Sequence, residues 1–251
     1  MHHHIRRALP ALLLLLMTPQ GFAQVVESNT LETTFQRLVI RSVVKIYNKN
    51  DFRTGSGFVV GRDSRERIYV MTCAHVADIG PGLQLDFHPH GSIDVHDGVE
   101  IVARDPRRDM AVLRIAPGVN APPVALGAHR PVPDGRFETL VVGFPNGNRT
   151  TRIVTSDFRR TEAGRDSLYL SDRIGPGASG SPVIARRGEH HYTVIGIYWG
   201  HTSSNGLATV GIGDFLKENS LDFLQEDITD DELKSVFTAA LEVLIEELAD
   251  K

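Results

Sequence analysis

The chain is poor in sulfur and indole, with one cysteine, four methionines and one tryptophan in 251 residues. A lone cysteine, Cys73, excludes any intramolecular disulfide, so the fold must rest on its apolar core. Charge of one sign is also lacking. The formal net charge is −4, without the dominant basic surface that nucleic-acid binding requires, so no nucleic-acid partner is expected. Long hydrophobic runs are missing too: the longest apolar stretch, residues 9–17, is too short to cross a bilayer. Glycine and proline, by contrast, number 23 and 13, a supply suited to many turns between short elements.

The first 23 residues have the layout of an export signal: Arg6-Arg7, then the apolar stretch, then the small-x-small site Gly21-Phe22-Ala23. Export to a periplasmic or secreted location, with a mature chain from Gln24 and no membrane span after signal removal, is the expectation. Removing the signal takes away two arginines and no acid, which moves the formal charge from −4 to −6. The acidity is concentrated at the far end, where residues 221–251 hold ten acids against two lysines.

Between these ends the periodicity is that of strands. Runs of β-branched and aromatic residues fall at 43–47, 57–61, 68–73, 83–87, 93–95, 99–103 and 110–115. A second set falls at 140–143, 152–156, 168–170, 182–185, 193–198 and 208–212. Residues 119–133 between them carry four prolines and form a natural connector. Two runs of roughly six short strands predict an all-β fold of two packed antiparallel six-stranded barrels, spanning about 40–118 and 134–213. Such barrels expose few edges and form a cleft where they meet. The domain expected is 24–220, followed by an acidic helical tail at 221–251. In the tail, 214–225 predicts one helix, and the capping box Thr229-Asp230-Asp231-Glu232 opens another. The apolar stripe of that second helix either packs on the second barrel or joins an oligomer or partner.

Three chemistry-bearing residues stand out. Gly175-Pro176-Gly177-Ala178-Ser179-Gly180-Ser181 surrounds one hydroxyl with turn residues whose amides are free to point outward. His75 ends the strand run of residues 70–76, and Asp109 opens the run of residues 110–115. Serine is a weak nucleophile near neutrality. An imidazole must take its proton, and a carboxylate must hold that imidazole in the right tautomer.

The segments TGSGFVV (54–60), TCAHV (72–76), DMAVLRI (109–115) and GASGSPV (177–183) together resemble the trypsin-like, chymotrypsin-fold serine peptidases. Within that family the resemblance is to the bacterial HtrA-like and glutamyl-endopeptidase-like branch, here without a PDZ module. It covers about residues 43–213 and implies a serine endopeptidase needing no cofactor or metal. The order His75, Asp109, Ser179 is that of chymotrypsin. The resemblance further implies an oxyanion hole built from the N–H groups of Gly177 and Ser179, and a triad that closes only where the halves meet. A protein or peptide is the implied partner.

Departures from the family pattern matter. Ala178 stands where many animal digestive relatives place an aspartate that pairs with a newly cut N-terminus, so that form of zymogen switch is not expected. Arg173, six residues before the serine, aligns with the floor of the primary pocket. It either selects an acidic residue before the cut or points to water. Tyr198-Trp199-Gly200 resembles the segment that walls the pocket and pairs with substrate backbone. Loop histidines His88, His90, His96, His190 and His191 lack carboxylate or thiolate partners at ligand spacing and are read as solvated. A catalytically weak member that binds peptides or a partner is the competing function.

Overall fold

Strand-forming residues occupy most of what the computed structural model describes: residues 42–50, 53–87, 95–117, 132, 135–159, 167–187 and 191–225. All lie within one compact unit, Leu38–Lys251. The export signal, the connector at 119–131, the capping box and the rest of the tail beyond 225 lie outside the described residues, as do His88, His90 and His190.

The first half forms β1 (Val43–Asn48), β2 (Thr54–Arg62), β3 (Ile68–Thr72), β4 (Leu83–Asp86), β5 (Val95–His96), β6 (Glu100–Asp105) and β7 (Met110–Ile115). A single helical turn, α1 (Ala74–Ala77), follows β3. The strands join antiparallel in the order β5-β4-β1-β2-β3-β7-β6. This is one strand more than the six of each expected barrel and matches the seven strand runs of this half, of which the run at 93–95 corresponds to the two-residue β5. Among the described residues its ladder pairs His96 with Leu85 and Val95 with Asp86, and the Asp97-Gly98 turn, with Gly98 at φ 73°, follows it. Strands β3 and β7 are buried on both faces over nearly their whole length, so their near-continuous apolar sequences lack the alternation of a one-sided sheet. Ile46, Phe58, Val70, Met71, Leu85 and Leu113 form the centre of this lobe.

The second half comprises β8 (Arg136–Gly143), β9 (Thr150–Arg159), β10 (Ser167–Leu170), β11 (Pro182–Arg187), β12 (His191–His201) and β13 (Gly206–Thr209). These close into a six-stranded barrel in the order β10-β13-β12-β11-β8-β9. Its core includes Val141, Leu168, Leu170, Val183, Ile195 and Ala208, and also Ile174, Ala178 and Tyr198 from the segments around the serine. The glycine-rich turn is therefore anchored in the barrel by its own apolar residues.

The helix expected over 214–225 is split into α2 (Ile212–Glu218) and a 3-10 turn, Asp222–Gln225. Ser220 adopts φ 58°, and the Leu221 N–H donates back to the Leu216 carbonyl at 2.8 Å, a closure that ends the helix. The segment beyond α2 returns to the first lobe. There Phe223 meets Tyr69 edge-on at 5.6 Å. Leu224 also packs so closely on Gly61 that an added Cβ would lie 2.9 Å from it. Arg108 completes the contact, stacking over Phe215 at 5.4 Å and bridging Asp105 and Glu218.

Candidate active site

His75 lies in α1, immediately after the buried β3, and Asp109 closes the β6–β7 turn. Two hydrogen bonds join them: the His75 N–H donates to Asp109 Oδ1 at 3.0 Å, and Nδ1 meets Oδ2 at 2.7 Å. The carboxylate side chain is 19% exposed and the imidazole 50%, so one edge of the ring faces solvent while the other is fixed. Asp109 is held at φ 57°, a left-handed conformation uncommon outside glycine but tolerated by aspartate and asparagine. That turn aims its carboxylate at the start of α1 and not along β7.

Ser179 sits in the turn entering β11. Its hydroxyl donates to the Trp199 carbonyl at 3.1 Å, so in this structure its hydrogen bond goes to β12 and not to the imidazole. The lobes meet around it. The Ser56 N–H donates to the Ser179 carbonyl at 2.7 Å, and the Cys73 thiol lies 3.4 Å from the Tyr198 carbonyl.

The backbone of the turn is fully specified. The Asn146 N–H donates to the Pro176 carbonyl at 2.6 Å. Because the peptide is trans and planar, the Gly177 N–H faces away from Asn146. Gly177 has φ +90°, and an added Cβ would lie 2.7 Å from the Phe144 carbonyl oxygen, so no other residue fits. The N–H groups of Ala178, Gly180 and Ser181 are committed to Gly175, Tyr198 and Ala178 carbonyls. Those of Gly177 and Ser179 have no acceptor among the described residues.

Of the residues expected at the pocket, Tyr198 and Arg173 each hold hydrogen-bond partners of their own. Tyr198 is 1% exposed; its hydroxyl donates to the Ile174 carbonyl at 2.8 Å and accepts the Ile174 N–H at 3.1 Å. It braces the segment leading to the serine from inside the barrel. A register shift between Tyr198 and Gly200 breaks the inside–outside alternation there, which residue type alone does not reveal. Arg173 is exposed, and its guanidinium donates to the Ser203 carbonyl at 2.9 Å. Trp199 and Gly200 are half-buried, and a Cβ added at Gly200 would meet nothing within 4 Å, so open space lies beside this wall.

Cys73 is completely buried. Burial first, and the nearby Asp109 charge second, push its thiol well above the ordinary value. The neutral thiol is therefore expected not to react with iodoacetamide in the folded protein near pH 8, and to take up one equivalent after unfolding, as mass spectrometry would read. Prompt alkylation of the native chain would contradict the burial. Cys73, His75 and Asp109 offer ligand atoms within 4.8 Å of one another, but each of these side chains is engaged in hydrogen bonds. Of the loop histidines within the described residues, His96 packs edge-on against Phe87 at 5.6 Å.

A family model for the trypsin-like peptidase domain matches residues 55–197, from the strand carrying Ser56 to the strand beside Ser179. The chain belongs to the trypsin-like peptidase family. Solved structures share the family's fold. The HtrA-type protease AlgW superposes with a TM-score of 0.58 at 20% identity, covering 82% of this chain and 71% of that one. The serine endoprotease from Yersinia pestis gives 0.56 at 20%, covering 78% and 67%. A serine-to-alanine mutant of Rv3671c from M. tuberculosis, in its inactive form, gives 0.54 at 21%, covering 72% and 88%. No curated protein matches the sequence. Among the described residues no helix is long and apolar enough to cross a membrane.

Proposed function

We propose that this family member is an exported serine endopeptidase, acting in the periplasm or outside the cell and hydrolysing peptide bonds through an acyl-enzyme. Ser179 is the nucleophile, His75 the general base and then the acid, and Asp109 the group that orients the imidazole. The observation that carries the reading is the pair of hydrogen bonds between His75 and Asp109, made by main chain and ring together. It fixes the ring's position and places the Nδ1 proton on the carboxylate side, leaving Nε2 to accept a proton. Attack requires the Ser179 hydroxyl to leave the Trp199 carbonyl and meet that nitrogen. The uncommitted N–H groups of Gly177 and Ser179 then receive the oxyanion, and the leaving amine takes its proton from His75. The hydrolytic step repeats this with water.

Primary specificity follows the open wall at Gly200 and the buried Ile174. The Ser203 carbonyl takes one of the five N–H donors of the Arg173 guanidinium; the open wall at Gly200 favours an uncharged, apolar residue before the cut.

The resting orientation of Ser179 is the one observation that favours a different function, a catalytically weak protein that binds peptides in the same cleft. A biotinylated fluorophosphonate separates the two. Covalent labelling of the folded wild type, absent in Ser179→Ala, is expected for the peptidase. A folded, unlabelled wild type that still binds peptide is the outcome of the other reading. A cleavage-site profile on denatured protein, wild type beside Ser179→Ala, tests the pocket, and acidic residues before the cut would overturn its assignment as apolar.

A further inference from the structure

Four consecutive carbonyls in the turn before and at the serine each accept a hydrogen bond, and two of the four come from one residue of the opposite lobe. Pro176 accepts from the Asn146 N–H at 2.6 Å, and Ala178 from the Ser181 N–H at 3.0 Å. Gly177 accepts from Ser56 Oγ at 2.8 Å, and Ser179 from the Ser56 N–H at 2.7 Å. Ser56 lies in β2 and is completely buried. Its hydroxyl also accepts the Phe144 N–H at 2.9 Å, and its carbonyl accepts from Thr72 Oγ1 at 2.7 Å. Its N–H, hydroxyl and carbonyl are thus all paired in a buried contact between the lobes.

Each bond fixes a peptide plane, because a carbonyl and the following N–H point in opposite directions. The planes on either side of Gly177 are held by Asn146 and by the Ser56 hydroxyl. Glycine places little steric limit on rotation between them. Without the hydroxyl, the 177–178 plane would have no partner at its carbonyl, while burial makes an unpaired carbonyl costly and a rearranged turn the cheaper state.

We propose that Ser56 is a positioning residue for catalysis, its hydroxyl holding the Gly177 carbonyl so that the Gly177 and Ser179 N–H groups converge on the oxyanion. This rests on the peptidase reading of the same turn. Ser56 touches neither substrate nor reacting atoms; it acts through the backbone of the opposite lobe.

Ser56→Ala removes the hydroxyl and keeps the N–H bond to Ser179. On a peptide substrate, kcat is expected to fall by about 10-fold to 100-fold, short of the loss on deleting an oxyanion donor outright. KM should stay within about threefold, since ground-state binding does not use the oxyanion donors. Affinity for a peptidyl boronic acid, which places an anionic oxygen at this position, should fall in parallel with kcat. The Phe144 N–H should lose its protection from hydrogen exchange while the β8 and β11 amides keep theirs. Ser56→Cys, which retains a weaker polar atom at the same place, should fall between. It also carries the comparison should Ser56→Ala not fold.

A lowered melting temperature with kcat and boronate affinity unchanged would make Ser56 a structural strut only and overturn the proposal, as would wild-type kcat in both variants. Failure of the wild type to label with fluorophosphonate would instead remove the peptidase reading. The Phe144 exchange comparison would still decide whether the hydroxyl holds the turn.

Discussion

Asp109→Asn should fold like the wild type and lose about four orders of magnitude in kcat, a loss of the size expected when a triad carboxylate becomes an amide. Folding should survive because asparagine tolerates the left-handed conformation at φ 57° as well as aspartate does. The Asn oxygen can also keep the bond from the His75 main-chain N–H. Chemistry should not survive. The amide nitrogen that replaces the second oxygen, 2.7 Å from Nδ1, is a donor and forces Nδ1 to accept. The ring proton then sits on Nε2, the nitrogen that takes the proton from Ser179 in the proposed mechanism. Single-turnover acylation by a chromogenic ester, beside circular-dichroism melting, checks both halves. A rate within tenfold of wild type would show that Asp109 does not set the tautomer.

Gly180→Ala should abolish activity by a different route, through the contact between lobes. A Cβ on Gly180 would lie 1.8 Å from the Ser56 carbonyl oxygen and 2.4 Å from Thr72 Oγ1, and the residue has φ +93°. The obstructing oxygen is main chain in a fully buried strand, so it cannot swing aside. Steric intrusion and backbone strain together are expected to cost roughly 3–5 kcal/mol, which for a protein of this size lowers the melting temperature by roughly 10 °C. The natural control is Gly135→Ala, which also has a left-handed φ, +80°, but meets nothing within 4 Å. It should lose only about 1 kcal/mol, the strain alone. Equal melting temperatures for the two variants would mean that the lobes can separate without penalty at Ser56.

Much of the site was legible before any coordinates. Strand runs, turn residues and the order His75, Asp109, Ser179 are local patterns, and the structure places His75 against Asp109 and Ser179 in the glycine-rich turn. The features that escaped depend on direction or on tertiary approach. Tyr198 reads as part of a wall by resemblance, while the burial of its ring in the barrel core depends on tertiary packing. Arg173 stands six residues before the serine, and its hydrogen bond to a carbonyl 30 residues away depends on how two loops approach. Ser56 was visible only as one small residue in TGSGFVV. Its part depends on a partner 121 positions distant, and no periodicity encodes that. One signal was available in retrospect: a serine between two glycines in a strand is a polar group placed where backbones approach closely, and such a group must find partners.

The return of Phe223 and Leu224 to Tyr69 and Gly61 has a consequence for the order in which the protein is made. Strands β1 to β7 emerge from the ribosome first, yet part of their outer face is covered only when the segment 215–224 has been synthesised, about a hundred residues after β7 ends. Until then a patch around Gly61, Tyr69 and Arg108 stays open to solvent on a nascent chain. Completion of the earlier lobe is thereby tied to arrival of the later one, so the pair matures as a single event and the first sheet has no finished state of its own.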